Sequence, residues 1–139
     1  MLIEVTVITV AVIAVDQLSK SFIMSRPSAQ IWKARFLSIR KVLRRRGAPI
    51  FIVGTYQLMA LWAASTAIAV LLIEEGVIAE NTTTAAGLGA TLGGAAGNLL
   101  DRLWRGAIVD FVSIGRWPLF NLADAAIVLG IGLLLLSLR

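Results

Sequence analysis

Four aspartates, Asp16, Asp101, Asp110 and Asp124, are the only ones in a 139-residue chain that is 58% hydrophobic, and each lies in or beside an apolar stretch. An aspartate at the centre of a membrane helix costs about 2.5 to 3.5 kcal/mol on insertion scales, so such groups are usually paired or working. The chain has no histidine and no cysteine. That removes the usual neutral-pH base, the commonest metal ligand, thiolate chemistry and disulfides. Acid–base work is left to the carboxylates.

The elements that must position them follow from composition. A mean hydropathy of +0.87 with only 15% charged residues excludes an ordinary soluble domain, which carries about 25% charge. The sequence predicts an all-α polytopic membrane protein, a single integral domain of four transmembrane helices with a basic extramembrane loop between the first two. Each apolar run is near the roughly 20 residues that cross the hydrocarbon core. The spans are 2–24, 50–73, 83–104 and 119–138. The third is built of Ala, Gly and Leu, with Gly89, Gly93 and Gly97 spaced four apart on one face, a pattern that lets membrane helices approach closely. That face is expected to serve within the bundle, in a monomer. Pro118 suits the first turn of the fourth span. The first span lacks a basic leading segment and a clear small-residue cleavage site, so it is not expected to be a cleaved signal peptide.

Four spans put the 25–49 and 105–118 connections on one side. Asp16 and Lys20 then lie late in the first span, Asn98, Asp101 and Arg102 late in the third, Asp110 in the following connection, and Asn121 and Asp124 at the start of the fourth. All fall at one membrane face. Asp16 with Lys20, Asn98 with Arg102, and Asn121 with Asp124 are each three or four apart, so each pair shares a helix face. Taken alone, Asp16 with Lys20 reads as an interfacial ion pair. Taken together, the groups read as one inward polar face per helix.

Four segments carry a resemblance: Asp16-Gln17-Leu18-Ser19-Lys20, Gly93-Gly94-Ala95-Ala96-Gly97-Asn98-Leu99-Leu100-Asp101-Arg102, Val109-Asp110-Phe111, and Phe120-Asn121-Leu122-Ala123-Asp124. In order and spacing they closely resemble the bacterial lipoprotein signal peptidases, or signal peptidase II. The resemblance is detailed over the first span and from Gly93 onward; between Met24 and Thr83 it is one of layout. It implies an intramembrane aspartic endopeptidase that removes the signal peptide of diacylglyceryl-modified prolipoproteins by cutting before the lipidated cysteine. It also implies a multi-pass protein of the bacterial plasma (inner) membrane with its active site on the extracytoplasmic face.

By the same resemblance Asp110 and Asp124 are the catalytic pair. Two carboxylates held close cannot both ionise, so one keeps a proton to polarise the scissile carbonyl while the other activates water. Asn98, Arg102 and Asn121 match residues that line the site, where amides and a guanidinium hold substrate and orient the aspartates. Asp16 and Lys20 match the first-helix motif and shape the substrate site. Asp101 points about 100° away from Arg102 on a helix and is assigned a structural pairing. No metal and no cofactor is implied.

The 25–49 connection departs from the family. Family members carry an Asn-x-Gly-Ala-Ala-like run there, whereas this chain has Arg44-Arg45-Arg46-Gly47-Ala48-Pro49. This is the main support for an alternative, a non-proteolytic relative that binds lipidated or apolar segments. The same connection holds Arg26, Lys33, Arg35, Arg40, Lys41, Arg44, Arg45 and Arg46 and no acid, while 74–82 holds Glu74, Glu75 and Glu80 and no cation. Charge statistics alone would put the basic loop in the cytoplasm; the resemblance puts it outside, and the motif match is given precedence. The basic residues point to anionic phospholipid rather than nucleic acid as a partner, with Trp32, Phe36 and Ile39 dipping inward from a segment along the headgroups. A small transporter is a poorer reading, since no internal repeat or broken helix is evident.

Overall fold

The computed structural model describes residues 1–27, 30–34, 37–45, 54–78 and 80–137. Four helices dominate: α1 (Leu2–Met24), α2 (Thr55–Glu74), α3 (Thr82–Trp104) and α4 (Leu122–Ser137). Between them run three strands, β1 (Gln30–Lys33), β2 (Leu37–Arg45) and β3 (Ala107–Ile114), forming one antiparallel sheet in the order β1-β2-β3. The chain is thus mostly helical but not all-α. The basic connection after α1 and the connection after α3 were expected as loops, and they pair with each other instead. Such pairing is set by the partner strand more than by any local signal.

Helix ends follow local chemistry. α1 stops just before Pro27, which disfavours helical backbone in its predecessor. α3 starts on Asn81, whose side-chain oxygen accepts from the Thr84 N–H at 2.8 Å, and it ends through Gly106 at φ +68°, a left-handed cap that glycine adopts without strain. α4 begins at Leu122 rather than directly after Pro118. Phe120 exchanges backbone hydrogen bonds with Val112 at 2.9 and 3.0 Å, so helix cannot start until that segment is released.

α3 is the central rod. Its Gly89, Gly93 and Gly97 face meets α1: a Cβ on Gly89 would lie 2.7 Å from the Ile8 Cβ, and one on Gly97 would lie 2.6 Å from the Asp16 carboxylate. A second face, at Gly87 and Gly94, is filled by α4, where added Cβ atoms would strike Leu134 and the Ala123 carbonyl. Both faces are used inside the bundle, as close membrane-type packing requires. α2 docks on α3, and Trp62 donates its indole N–H to the Leu92 carbonyl at 3.0 Å.

Two helices, α1 and α2, are long and apolar enough to cross a membrane, and α4 is a shorter apolar helix. Large apolar side chains point outward along them, among them Leu18, Leu61, Leu71, Val128 and Leu135. So much exposed hydrocarbon marks a surface made for lipid. The sheet sits at the end of the bundle where α1 and α3 finish. Lys41 of β2 fastens it there by donating to the Arg26 carbonyl at 2.8 Å and the Met24 carbonyl at 3.5 Å.

Candidate active site

The first turn of α4 organises the site. Asn121 and Asp124 cap each other: the Asn121 side-chain oxygen accepts from the Asp124 N–H at 2.9 Å, and the Asp124 Oδ2 accepts from the Asn121 N–H at 3.4 Å. This three-residue spacing is that of a capping box, and it fixes Asp124 at the positive end of the helix dipole. The Asn121 amide nitrogen is left to face β3 and α3. It reaches Asp110 Oδ1 at 3.0 Å, the Val109 carbonyl at 3.2 Å and Asn98 Oδ1 at 3.0 Å. One asparagine therefore contacts both Asp110 and Asp124.

Asn98, on α3, closes the arrangement. Its amide nitrogen donates to Asp124 Oδ1 at 2.7 Å, while its oxygen accepts from Asn121 and from the Lys20 ammonium at 3.2 Å. The amide orientation is forced, because an ammonium has donors only and so must face the oxygen. Asp110 is 2% exposed, whereas Asp124 is half-buried and lines a cleft of about 420 Å³ between α2, α3, α4 and the start of β3. The remaining wall is largely apolar, including Leu58, Leu61, Trp62, Leu92, Leu99 and Ile127, with Asn98 and Arg102 as its other strongly polar members. A carboxylate at the edge of an apolar cleft and a second one buried beside it suit acid–base chemistry on an apolar chain.

Asp16, Lys20 and Asn121 have no exposed surface, and neither they nor Asp110 line this cleft; Asp110 is reached from it through Asn98 and Asn121. Asp16, Lys20 and Asn121 lie behind the cleft wall, and Asn98 and Arg102 are the expected substrate-site residues that face the cleft. Lys20 forms ion pairs with Asp16 at 2.7 Å and Asp101 at 2.8 Å. Asp101 is also paired with Arg105, one helical turn on, so its structural partners are Lys20 and Arg105. Gln17 ties the layer together, donating to both carboxylates at 3.2 Å and to the Gly97 carbonyl at 3.0 Å, and accepting from Arg105 at 2.6 Å. Gln17 and Arg105 are the residues that sequence reasoning left without a role. The four-residue spacing of Asp101 and Arg105 was the available signal for the second.

The basic segment forms β1 and β2. Arg35, Phe36 and the Arg46–Pro49 stretch lie outside the described residues. Trp32 and Ile39, expected to dip inward together, are cross-strand partners in the β1–β2 ladder and so share a face. β2 in turn pairs with β3, with Val42 opposite Asp110. A bulge sets Arg40 and Lys41 against the single residue between Asp110 and Val112, and bulges of this kind often re-aim side chains beside functional sites.

Comparison with known proteins decides the family. The model of signal peptidase (SPase) II matches residues 8–139. The chain belongs to the signal peptidase II family. A lipoprotein signal peptidase of Rhodococcus jostii is 38% identical over 133 residues, covering 89% of this chain and 66% of that relative. One from Halothermothrix orenii is 31% identical over 136 residues, covering 96% and 94%. A bacterial membrane enzyme solved by the in meso method at 1.9 Å has the same fold, with a TM-score of 0.73 at 25% identity over 96% of this chain and 91% of that one. The matched part spans less than two thirds of the length of several of the curated relatives. Family membership and the outward-facing apolar helices together mark a membrane protein.

Proposed function

We propose that this chain is an intramembrane aspartic endopeptidase that removes the signal peptide from diacylglyceryl-modified prolipoproteins, cutting before the lipidated cysteine. The observation that carries this reading is the Asn98–Asn121 amide pair, which joins buried Asp110 to Asp124 on the wall of an apolar cleft. In the singly protonated pair the charge rests on Asp124. It accepts from Asn98 and from the Asn121 N–H, and it sits where the helix dipole favours an anion. Asp110, deeper and on a strand, holds the shared proton.

Reaction follows from that division. Asp124 takes a proton from water as the water oxygen bonds to the scissile carbonyl carbon, and Asp110 gives its proton to the carbonyl oxygen, leaving a neutral tetrahedral diol. Asp110 then recovers a proton from a diol hydroxyl while Asp124 passes its own to the departing amide nitrogen. The C–N bond breaks and the pair returns to one proton. Arg102, on the cleft wall, holds substrate carbonyl oxygens. Asp16, Lys20 and Asn121 shape the site from behind.

The helices complete a four-span bundle, with α3 about 35 Å long at 1.5 Å per residue. The single domain acts as a monomer in the bacterial inner membrane with its site on the extracytoplasmic face. Exposed Trp32, Tyr56, Trp104 and Trp117 all belong to the site end, which fits an aromatic belt at a membrane interface. The basic strands β1 and β2 lie beside it and meet anionic phospholipid. The non-proteolytic reading depended on the altered run at 44–49, and family membership does not favour it.

The test is cleavage of a diacylglyceryl-modified prolipoprotein by the purified protein, with Asp110→Asn and Asp124→Asn in parallel. Wild type is expected to release the signal peptide and both variants to fail. Cleavage that persists in both would remove the dyad assignment. Accessibility of a tag placed in 46–53 checks orientation, and cytoplasmic labelling would reverse it.

A further inference from the structure

The two buried carboxylates outside the dyad each hold one backbone N–H. Asp16 Oδ1 accepts from Ala123 at 3.0 Å, and Asp101 Oδ2 accepts from Val109 at 3.1 Å. Ala123 immediately precedes Asp124, and Val109 immediately precedes Asp110. Lys20 lies between the carboxylates, 2.7 Å from one and 2.8 Å from the other. All three side chains are fully buried.

We infer that Asp16, Lys20 and Asp101 form a clamp that sets the separation of Asp110 and Asp124 by gripping the backbone just before each. This rests on the dyad reading above and adds positioning residues to it. The chain of contacts runs from the Ala123 N–H through Asp16, Lys20 and Asp101 to the Val109 N–H, across three helices and a strand. Every link in it involves a charged group, and charge-assisted hydrogen bonds are shorter and about twice as strong as neutral ones. Gly97 is needed for the clamp to reach: the Asp16 carboxylate occupies the space where a Cβ at 97 would lie, 2.6 Å away. Lys20 also donates to Asn98, which holds Asp124 directly. The bridge therefore reaches Asp124 twice, once through backbone and once through side chain.

Charge balance assigns a part to Arg105. Asp16 and Asp101 bring two negative charges, Lys20 one positive charge and Arg105 the other, so the layer is neutral only with Arg105 in place. Arg105 lies at the rim, 22% exposed, on Asp101, Gln17 and Ser21. Its loss would weaken the grip on Val109 and leave that on Ala123.

Amide NMR of the full chain in detergent reads the clamp without reference to catalysis, and kcat and KM on diacylglyceryl prolipoprotein read its effect. Asp16→Asn is expected to move the Ala123 amide resonance, Asp101→Asn that of Val109, and Lys20→Met both together. Lys20→Met should lower kcat roughly 100-fold, the scale of a 1 Å misplacement of reacting groups, with KM within about threefold. Lys20→Met leaves two buried carboxylates short of a cation and is the variant at risk of not folding. Arg105→Gln serves in its place: the Val109 resonance moves, that of Ala123 stays, and kcat falls several-fold at unchanged KM. Unmoved Val109 and Ala123 amides in folded variants would overturn the clamp, as would a loss carried by KM alone. A wild-type chain that cleaves nothing would count against the dyad reading, while the amide shifts would still decide the clamp.

Discussion

The two ends of the bundle are both interior, but they are held by different physics. Away from the site, Val5, Ala69, Ile73, Ala85 and Leu88 form a small apolar cluster with Met1 and Leu134 against it, and Leu92 links the cluster to the cleft wall. At the site end the apolar Ile108, Val109, Phe111 and Ala123 are buried together with the polar Asp16, Lys20, Asp101, Asp110, Ser113 and Asn121, joined by the half-buried Asn98 and Asp124. Apolar packing is non-directional and accepts swaps that conserve volume. A polar network is directional, and each member that loses its partner leaves another one unsatisfied. The same four helices therefore supply a tolerant end and an intolerant one.

The sharpest way to break this contrast is at the dyad. Asp110→Asn and Asp124→Asn keep the shape of the side chain but remove the acid–base function, and each should lower kcat/KM on the order of 10⁴-fold, as removal of reacting groups does elsewhere. Leu88→Met at the far end conserves volume and should leave cleavage unchanged. Next in size is Asn98→Ala. It strips Asp124 of its 2.7 Å donor and should cost about 10²- to 10³-fold, the scale for loss of one preorganised donor. Steady-state kinetics on one substrate ranks all four variants, and a Leu88→Met loss comparable to Asn98→Ala would erase the distinction between the ends.

What was legible in the sequence follows the same division. Apolar runs announced the helices because lipid-facing residues are apolar by composition, and helical spacing put the polar groups on inward faces. Asp101 was separated from Arg102 by its angle on the helix. Its contact with Lys20 could not be read, since it joins residues far apart in sequence, and its contact with the Val109 N–H depends on how the chain turns after α3. The sheet was missed for a related reason. β2, Leu37-Ser38-Ile39-Arg40-Lys41-Val42-Leu43-Arg44-Arg45, is rich in cations and reads as a loop until β3 lies beside it. The motif placed Asp16, Lys20 and Asn121 at the site but could not give their depth. The structure buries them one layer back.

Two glycines on one face of α3 sharpen the comparison. An added Cβ at Gly89 meets Ile8 at 2.7 Å, and one at Gly97 meets the Asp16 carboxylate at 2.6 Å. Gly89→Ala and Gly97→Ala should each destabilise by about 1–3 kcal/mol through overpacking, measured by thermal unfolding in detergent. Only Gly97→Ala should also depress kcat, because the group it displaces holds the Ala123 N–H. Equal kinetic losses would mean that helix separation, not the polar layer, governs activity.

The smallest effect expected is that of Ile73→Val, in the apolar cluster and 5% exposed. Removing one methylene costs about 0.5–1.5 kcal/mol in soluble cores. In a membrane the lower part of that range applies, because lipid solvates the removed group's surroundings about as well as protein does and only packing is lost. A slight fall in the detergent melting temperature with unchanged kcat and KM is therefore expected. The result bears on α3, which runs from Ala85 and Leu88 in this cluster to Asn98 and Asp101 in the site. If loosening the cluster slowed cleavage, α3 would be transmitting strain along its length as a rigid rod, and the two ends would have to be treated as one mechanical unit.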